Sequence, residues 1–394
     1  MKSASGLARL ATVLSFILLG AFALATAATD GYHLLKKYPF GAAEGSTREY
    51  FDYITVDSSA RRVYVSHGTE IKVIDADNGT LIGNITGLKQ DHGVALASEF
   101  GRGFISDGAQ GKVIIFELKT LKVIGEAKAD NDADCVVYDP ASKRVFAMNG
   151  DPHNSTVIDA KSGTVVGTIE LGGAPEFAVA DGSGSVYINM EDKNEVVAID
   201  SGTLKIKSRW PVAPAGRPTA LAMDIKHRRL FSAGRNPQIL VVMDADSGRV
   251  IQSFPISAGV DAAAYEPETG LLFASTREGM IHIFREESPD KFSEVETVET
   301  EFGAKPWGSI PRHTTSFWTP QILAHLRLPP QTGPVRNGRP FRERSAFWFM
   351  RGNGSYHYSH TRNGDEPRNQ QNGSALRLLH RFWQMQTQIT SGTI

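Results

Sequence analysis

The chain repeats itself. "VYVSHGTEIKVIDADNGTLIGNI" at residues 63–85 and "VFAMNGDPHNSTVIDAKSGTVVGTI" at 145–169 have one form. An apolar pair followed by an acid recurs at Asp75, Glu117, Asp159, Asp200 and Asp244, at spacings of 42, 42, 41 and 44 residues. Before each landmark stands an alternating strand–turn–strand unit, such as "DYITVDSSARRVYVS" or "DCVVYDPASKRVFAM". After it come a turn and one more strand, such as "NGTLIGNI" or "SGTVVGTIEL". Short β-branched runs punctuated by Gly, Asp, Asn and Pro are strand and hairpin chemistry. Four strands per unit of about 42 residues predict an all-β fold, a β-propeller of four-stranded blades. One small sheet cannot offset its own conformational entropy, so the ring has to close.

Six first-strand units are complete, from Asp52 through Asp261. A seventh begins at "EFGAK" (301–305), and "YHLLKKYPF" (32–40) reads as an orphan fourth strand from the N-terminus. The design is therefore seven blades over residues 30–303, six of them complete, with an N-terminal closing strand. The three-residue spacer in Asp75-x-x-x-Gly79, Asp159-x-x-x-Gly163 and Asp244-x-x-x-Gly248 marks turns, where the acid bonds nearby N–H groups and glycine supplies positive φ.

The second strands "VYVSHG", "GFISDG", "VFAMNG" and "VYINME", with fourth strands such as "GTVVGTI", resemble the Tyr-Val-Thr-Asn motif of YVTN-repeat (YncE-like) β-propellers. The resemblance covers residues 30 to about 305 and implies a seven-bladed exported propeller. It is specific for fold and weak for function.

Residues 304–394 break the pattern. From 306 onward there are 11 Arg, no Lys, one Val and four of the five Trp. They read as a disordered or out-of-frame tail. Codon degeneracy permits a one-base shift after Lys305: Pro306-Trp307 as CCA-TGG contains ATG-G, and the shifted text regains a strand–turn–strand form. The tail's balance of +8 leaves −9 on residues 1–305, and −11 once Lys2 and Arg9 are removed with a leader. An acidic body is a poor partner for nucleic acid.

That leader is residues 1–27: Lys2 and Arg9, an apolar and small-residue run from Ala11 to Ala25, and an A-x-A site at Ala25-Thr26-Ala27. The run is short for a membrane span. A signal peptide implies a periplasmic or secreted protein with no span after cleavage. The single cysteine, Cys135, excludes an internal disulfide.

No nucleophile elbow, Walker loop, CxxC pair or HExxH is present. A site must be assembled from several blades. Aligning the residues that open the innermost strands gives Asp52, His92, Asp134, Glu176, Thr219, Asp261 and Lys305, which converge on one rim of the channel. Asp52, His92, Asp134, Glu176 and Asp261 are the candidate ligand-binding or metal-binding residues, and the oxygen-rich set suits a hard ion such as Ca²⁺ or Mg²⁺. A hydrated channel mouth explains the acids equally well, and His92 reads as a hydrogen-bonded neighbour of Asp52 or Asp134. His67, Asn149, Asp151, His153, Glu191, Asp192, Arg235 and Arg277, on loops after the second strands, read as a polar surface rather than one pocket.

The expectation is a monomeric, non-enzymatic exported propeller that binds a protein or small ligand across its channel face. Two alternatives stay open: a divalent-metal-dependent, lactonase-like hydrolase using the acidic rim, and a single-stranded DNA binder.

Overall fold

A computed structural model describes residues 31–40, 43, 45, 51–310, 321–326 and 345–352. The leader, residues 1–27, lies outside them. The described chain forms seven four-stranded antiparallel sheets. Blades 1 to 6 each use four consecutive strands: residues 54–86, 91–128, 133–170, 175–211, 218–255 and 260–299. Their innermost strands are Ile54–Asp57, Asp91–Ala97, Ala133–Asp139, Pro175–Ala180, Pro218–Asp224 and Val260–Glu266, followed by Ala304–Ile310 in blade 7. Each innermost strand touches the next, and Ala304–Ile310 touches Ile54–Asp57, so the ring is closed. Among the described residues no helix is long and apolar enough to cross a membrane.

Blade 7 differs from the sequence reading, which found no strands after residue 305 and left Tyr32–Phe40 unmatched. Gln321–Leu326 and Ser345–Gly352 supply the middle strands, and Tyr32–Phe40 pairs along its length with Ser345–Gly352 as the outermost strand. Both runs are short, apolar or aromatic, and therefore strand-forming. They escape the repeat because their spacing does not follow it.

Burial explains the layering. The second and third strands are buried on both faces, as in Arg144–Asn149 and Asn154–Asp159, whereas outer strands such as Lys205–Pro211 alternate exposed and half-buried. Blades therefore pack face to face: Phe146, Val157 and Ile169 of blade 3 meet Val186, Ile188 and Val197 of blade 4. The Asp-x-x-x-Gly turns are structural, as expected. Asp75 accepts the Asp77 and Asn78 N–H groups at 2.9 and 3.0 Å, and Gly79 has φ of 72°.

Candidate functional site: the channel mouth

The mouth residues are aimed by a repeated backbone irregularity. In blades 2 to 7 the pairing of first and second strands shifts register at its first step, at Asp91/Val94, Ala133/Val136, Pro175/Ala178, Pro218/Ala220, Val260/Ala262 and Ala304/Trp307. A bulge at a sheet edge re-aims the side chains beside it. Here these are His92, Asp134, Glu176, Thr219 and Asp261. In blade 1, Asp52 precedes the strand and is tied by its N–H to Ser66 Oγ at 3.0 Å.

A cavity of about 170 Å³ is lined by Asp52, His92, Asp134, Glu176, Thr219 and Asp261, with Tyr53, Phe177, Arg235 and Arg277. All five candidate residues thus share one opening. For Lys305 only the backbone position is described. The rings of Tyr53 (blade 1) and Phe177 (blade 4) meet with centroids 4.6 Å apart, across the ring from one another. They floor the mouth. The residue after each rim position is otherwise small or apolar, Gly93, Cys135, Ala220 and Ala262, which leaves room for two aromatics to meet.

One half of the mouth is a proton-sharing cluster. His92 Nδ1 lies 2.6 Å from Asp52 Oδ2 and 3.3 Å from Asp134 Oδ1. Burial pulls the His92 pKa down, but the Asp52 hydrogen bond and the charges of Asp134 and Asp52 outweigh it and carry it up to about 9. His92 is therefore an imidazolium at neutral pH, with Asp52 as counter-ion. Burial raises Asp134 to about 7 against the opposing pull of His92, and raises Glu176 to about 8 with help from Asp134. Asp134 retains 27 % of its side-chain exposure toward the channel, so water tempers that rise. The Nε2 of His92 faces the Gln90 amide at 3.1 Å. A neutral ring accepts from the amide nitrogen there, and the imidazolium needs the amide turned to present its oxygen.

The other half is cationic. Asp261 Oδ1 accepts from Arg235 at 2.8 Å and Arg277 at 2.6 Å. Glu191, which also pairs with Arg217, lies 3.6 Å from Arg235 and offsets part of the charge, but two guanidiniums on one carboxylate oxygen still leave spare N–H groups at the cavity wall.

Asp52, His92 and Asp134 offer three ligating atoms within 4.8 Å of one another, enough to hold a cation. Glu176 and Asp261 line the same mouth outside that set, and Asp261 is engaged by the two arginines. Sequence reasoning missed Tyr53 and Phe177 as the floor, and placed Arg235 and Arg277 on a general surface rather than in this pocket. The remaining loop residues divide: His67 and Asn149 are buried, Glu191 is half-buried, and Asp151, His153 and Asp192 are exposed. Cys135 is buried, its thiol pushed up to about 12 by desolvation, and it accepts the Ala178 N–H at 3.3 Å.

A larger hollow of about 670 Å³ lies between blades 2 and 3, lined by groups including Lys112, Glu126, Lys128, Asp130 and Asp151. Lys112, half-buried, and Glu126, exposed, already pair there at 2.9 Å, and no buried charged side chain lines the hollow. The chemistry favours the smaller mouth.

No protein-family model matches the chain, and no curated protein matches it. Among solved structures it is similar to hydrazine synthase of Kuenenia stuttgartiensis, with a TM-score of 0.61 and 12% identity over 73% of this chain and 96% of that one. At that identity the likeness shows the fold alone: this is a β-propeller. In all, 1633 solved chains match, so the architecture does not choose among functions.

Proposed function

We propose that the protein is an exported, non-enzymatic propeller of the YVTN-repeat type that binds a small ligand at its channel mouth, and that the ligand carries a positive and a negative end. The observation behind this reading is the split of charge around one cavity. Asp52, Asp134 and Glu176 with His92 form one wall, and Arg235 and Arg277 form another. An ammonium group suits this wall by displacing the protons that Asp134 and Glu176 hold near neutral pH, and a carboxylate suits the guanidinium forks. Calorimetry on the full chain with alanine, ethylamine and propionate separates the two ends. Alanine is expected to bind at least about tenfold tighter than either fragment, and Arg235→Ala to lose about 1–3 kcal/mol of that affinity. Equal binding of propionate and alanine, or no binding of any of the three, would overturn the reading.

A second reading rests on the clustered ligating atoms of Asp52, His92 and Asp134. As a metal-dependent hydrolase of lactonase type, the ion would polarise a carbonyl and a rim carboxylate would act as base. Elemental analysis of the purified chain, with lactone turnover abolished in Asp134→Asn, decides for it. Binding of single-stranded DNA is disfavoured by the acidic body, and affinity insensitive to salt would remove it.

Export predicts an N-terminus at Ala28 in protein from the native source. The stretch after Lys305 is proposed to be out of frame. In blade 1 only three residues separate the second strand from the third, Ser66 from Glu70, but eighteen separate Leu326 from Ser345. Such a connection is long for a propeller hairpin. Native peptides from the Arg-rich stretch would refute this.

A further inference from the structure

The inner strands carry a second cluster at their other end. In blade 5, Thr219 opens toward the mouth, and Asp224 ends the same strand five residues later. At about 3.3 Å per residue that is roughly 16 Å away. His227 follows in the turn, and Glu286 comes from the third strand of blade 6, Met280–Ser288. His227 Nδ1 lies 2.7 Å from Asp224 Oδ2 and 2.7 Å from Glu286 Oε1.

These contacts are one hydrogen short. A ring nitrogen carries at most one hydrogen, and here it bonds Asp224. Glu286 Oε1 accepts no hydrogen bond, although the Glu286 side chain is only 6 % exposed. A buried carboxylate oxygen in that state is costly. The surroundings hold both carboxylates in place. The Lys226 N–H donates to Asp224 Oδ1 at 3.0 Å, and the Tyr265 hydroxyl donates to Glu286 Oε2, turning Oε1 toward the ring. His227 keeps 29 % of its side chain exposed, which gives an ion a way in.

We propose that a divalent transition metal, zinc by its ligand preference, takes the place of the Nδ1 hydrogen and is held by His227 Nδ1, Asp224 Oδ2 and Glu286 Oε1, clamping blade 5 to blade 6. One imidazole nitrogen and two carboxylate oxygens suit a four-coordinate ion with water in the last position. Calcium needs six to eight oxygens, more than these residues offer. Tyr265 and Lys226 act as positioning groups for the two carboxylates.

The proposal is independent of the channel mouth, and its test keeps the two apart. The full chain, stripped with chelator, is titrated with Co²⁺ as a visible stand-in and then competed with Zn²⁺. One equivalent of cobalt with the intense absorption of a four-coordinate site is expected, displaced by zinc. Glu286→Gln is expected to weaken it by at least about tenfold. His227→Ala is expected to abolish it, and Asp134→Asn at the mouth to leave it intact. No cobalt spectrum in the wild type, or one that survives His227→Ala, would overturn the proposal. Loss of the spectrum in Asp134→Asn would move the ion to the mouth and overturn it as well. If His227→Ala does not fold, the Glu286→Gln titration decides alone, because glutamine still accepts from Tyr265.

Discussion

His92 sets the charge of the mouth. It is the cation between Asp52 and Asp134, and the three raised groups around it hold protons that the unfolded chain would release. Folded values of about 9 for His92, about 8 for Glu176 and about 7 for Asp134 and Asp91 all exceed the unfolded ones. Between pH of about 6.5 and 9 the native state therefore binds more protons than the unfolded state, and stability falls as pH rises. His67 has the opposite sign, since burial lowers it to about 4, but its effect is complete once pH exceeds the unfolded value of about 6.5. Thermal melts are expected to show a midpoint declining from pH 6.5 to 9. Asp134→Asn should flatten that decline by ~1 kcal/mol, roughly 2–3 °C, because it removes one raised carboxyl and one of the charges that, with Asp52, hold the His92 proton. A decline of the same steepness in the variant would contradict this account. The rim residues were legible because a fixed repeat pitch aligns them without any structure. Tyr53 and Phe177 were not, because an aromatic one place after the rim reads as ordinary core. Glu286 left one trace: blade 6 lacks the apolar-pair-plus-acid landmark at the usual place and has Phe284-Arg285-Glu286 on a longer strand.

At the scale of strands and turns, the blades lock through glycines whose missing Cβ receives a neighbour's ring. A Cβ on Gly248 of blade 5 would meet Trp210 Cγ of blade 4 at 2.0 Å, at a φ of +74°. A Cβ on Gly79 of blade 1 would meet Tyr38 Cζ at 2.1 Å, at a φ of +72°. Tyr38 lies on the N-terminal strand, so that strand occupies in blade 7 the place that Lys205–Pro211 occupies in blade 4. Gly101 is the control, with φ of +64° and open space around it. Gly101→Ala is expected to cost only ~1 kcal/mol for its left-handed backbone, while Gly248→Ala adds overpacking of ~1–3 kcal/mol. Chemical denaturation of the two variants compares them, and equal losses would show that the ring contact does not bear on stability. Four strands per blade followed from the alternation of short β-branched runs. The bulges that aim the rim were invisible, because a one-residue register shift leaves no mark on an apolar pattern. Blade 7 was illegible past its first strand because "QILAHL" and "SAFWFMRG" keep strand chemistry without the repeat spacing.

A ring held by no disulfide closes where its first and last described strands meet, and here Tyr32–Phe40 bridges three blades. It pairs with Ser345–Gly352 in blade 7. Toward blade 6, Tyr32 packs edge-on against Phe273 at 5.3 Å, and its N–H donates to Glu296 Oε1 at 2.9 Å. Toward blade 1, the Tyr38 hydroxyl donates to Asn78 O at 2.6 Å. Closure is thus shared between a buried ring and a half-buried hydroxyl, and the two are separable. Tyr32 is 7 % exposed, so Tyr32→Ala opens a cavity between blades 6 and 7 and is expected to cost about 3–5 kcal/mol. Tyr38→Phe loses one hydrogen bond in a more open setting and is expected to cost about 0.5–1.5 kcal/mol. Removing residues 31–40 altogether exposes the long edge of Ser345–Gly352, and an unpaired edge recruits other strands. Light scattering during a denaturant titration distinguishes the outcomes. The two point variants should stay monomeric with a single transition at lower denaturant, while the deletion should associate before it unfolds. A deletion variant that remained monomeric with an unchanged midpoint would mean that the ring is held by the inner strands alone. The N-terminal strand would then be an ornament on blade 7 rather than its lock.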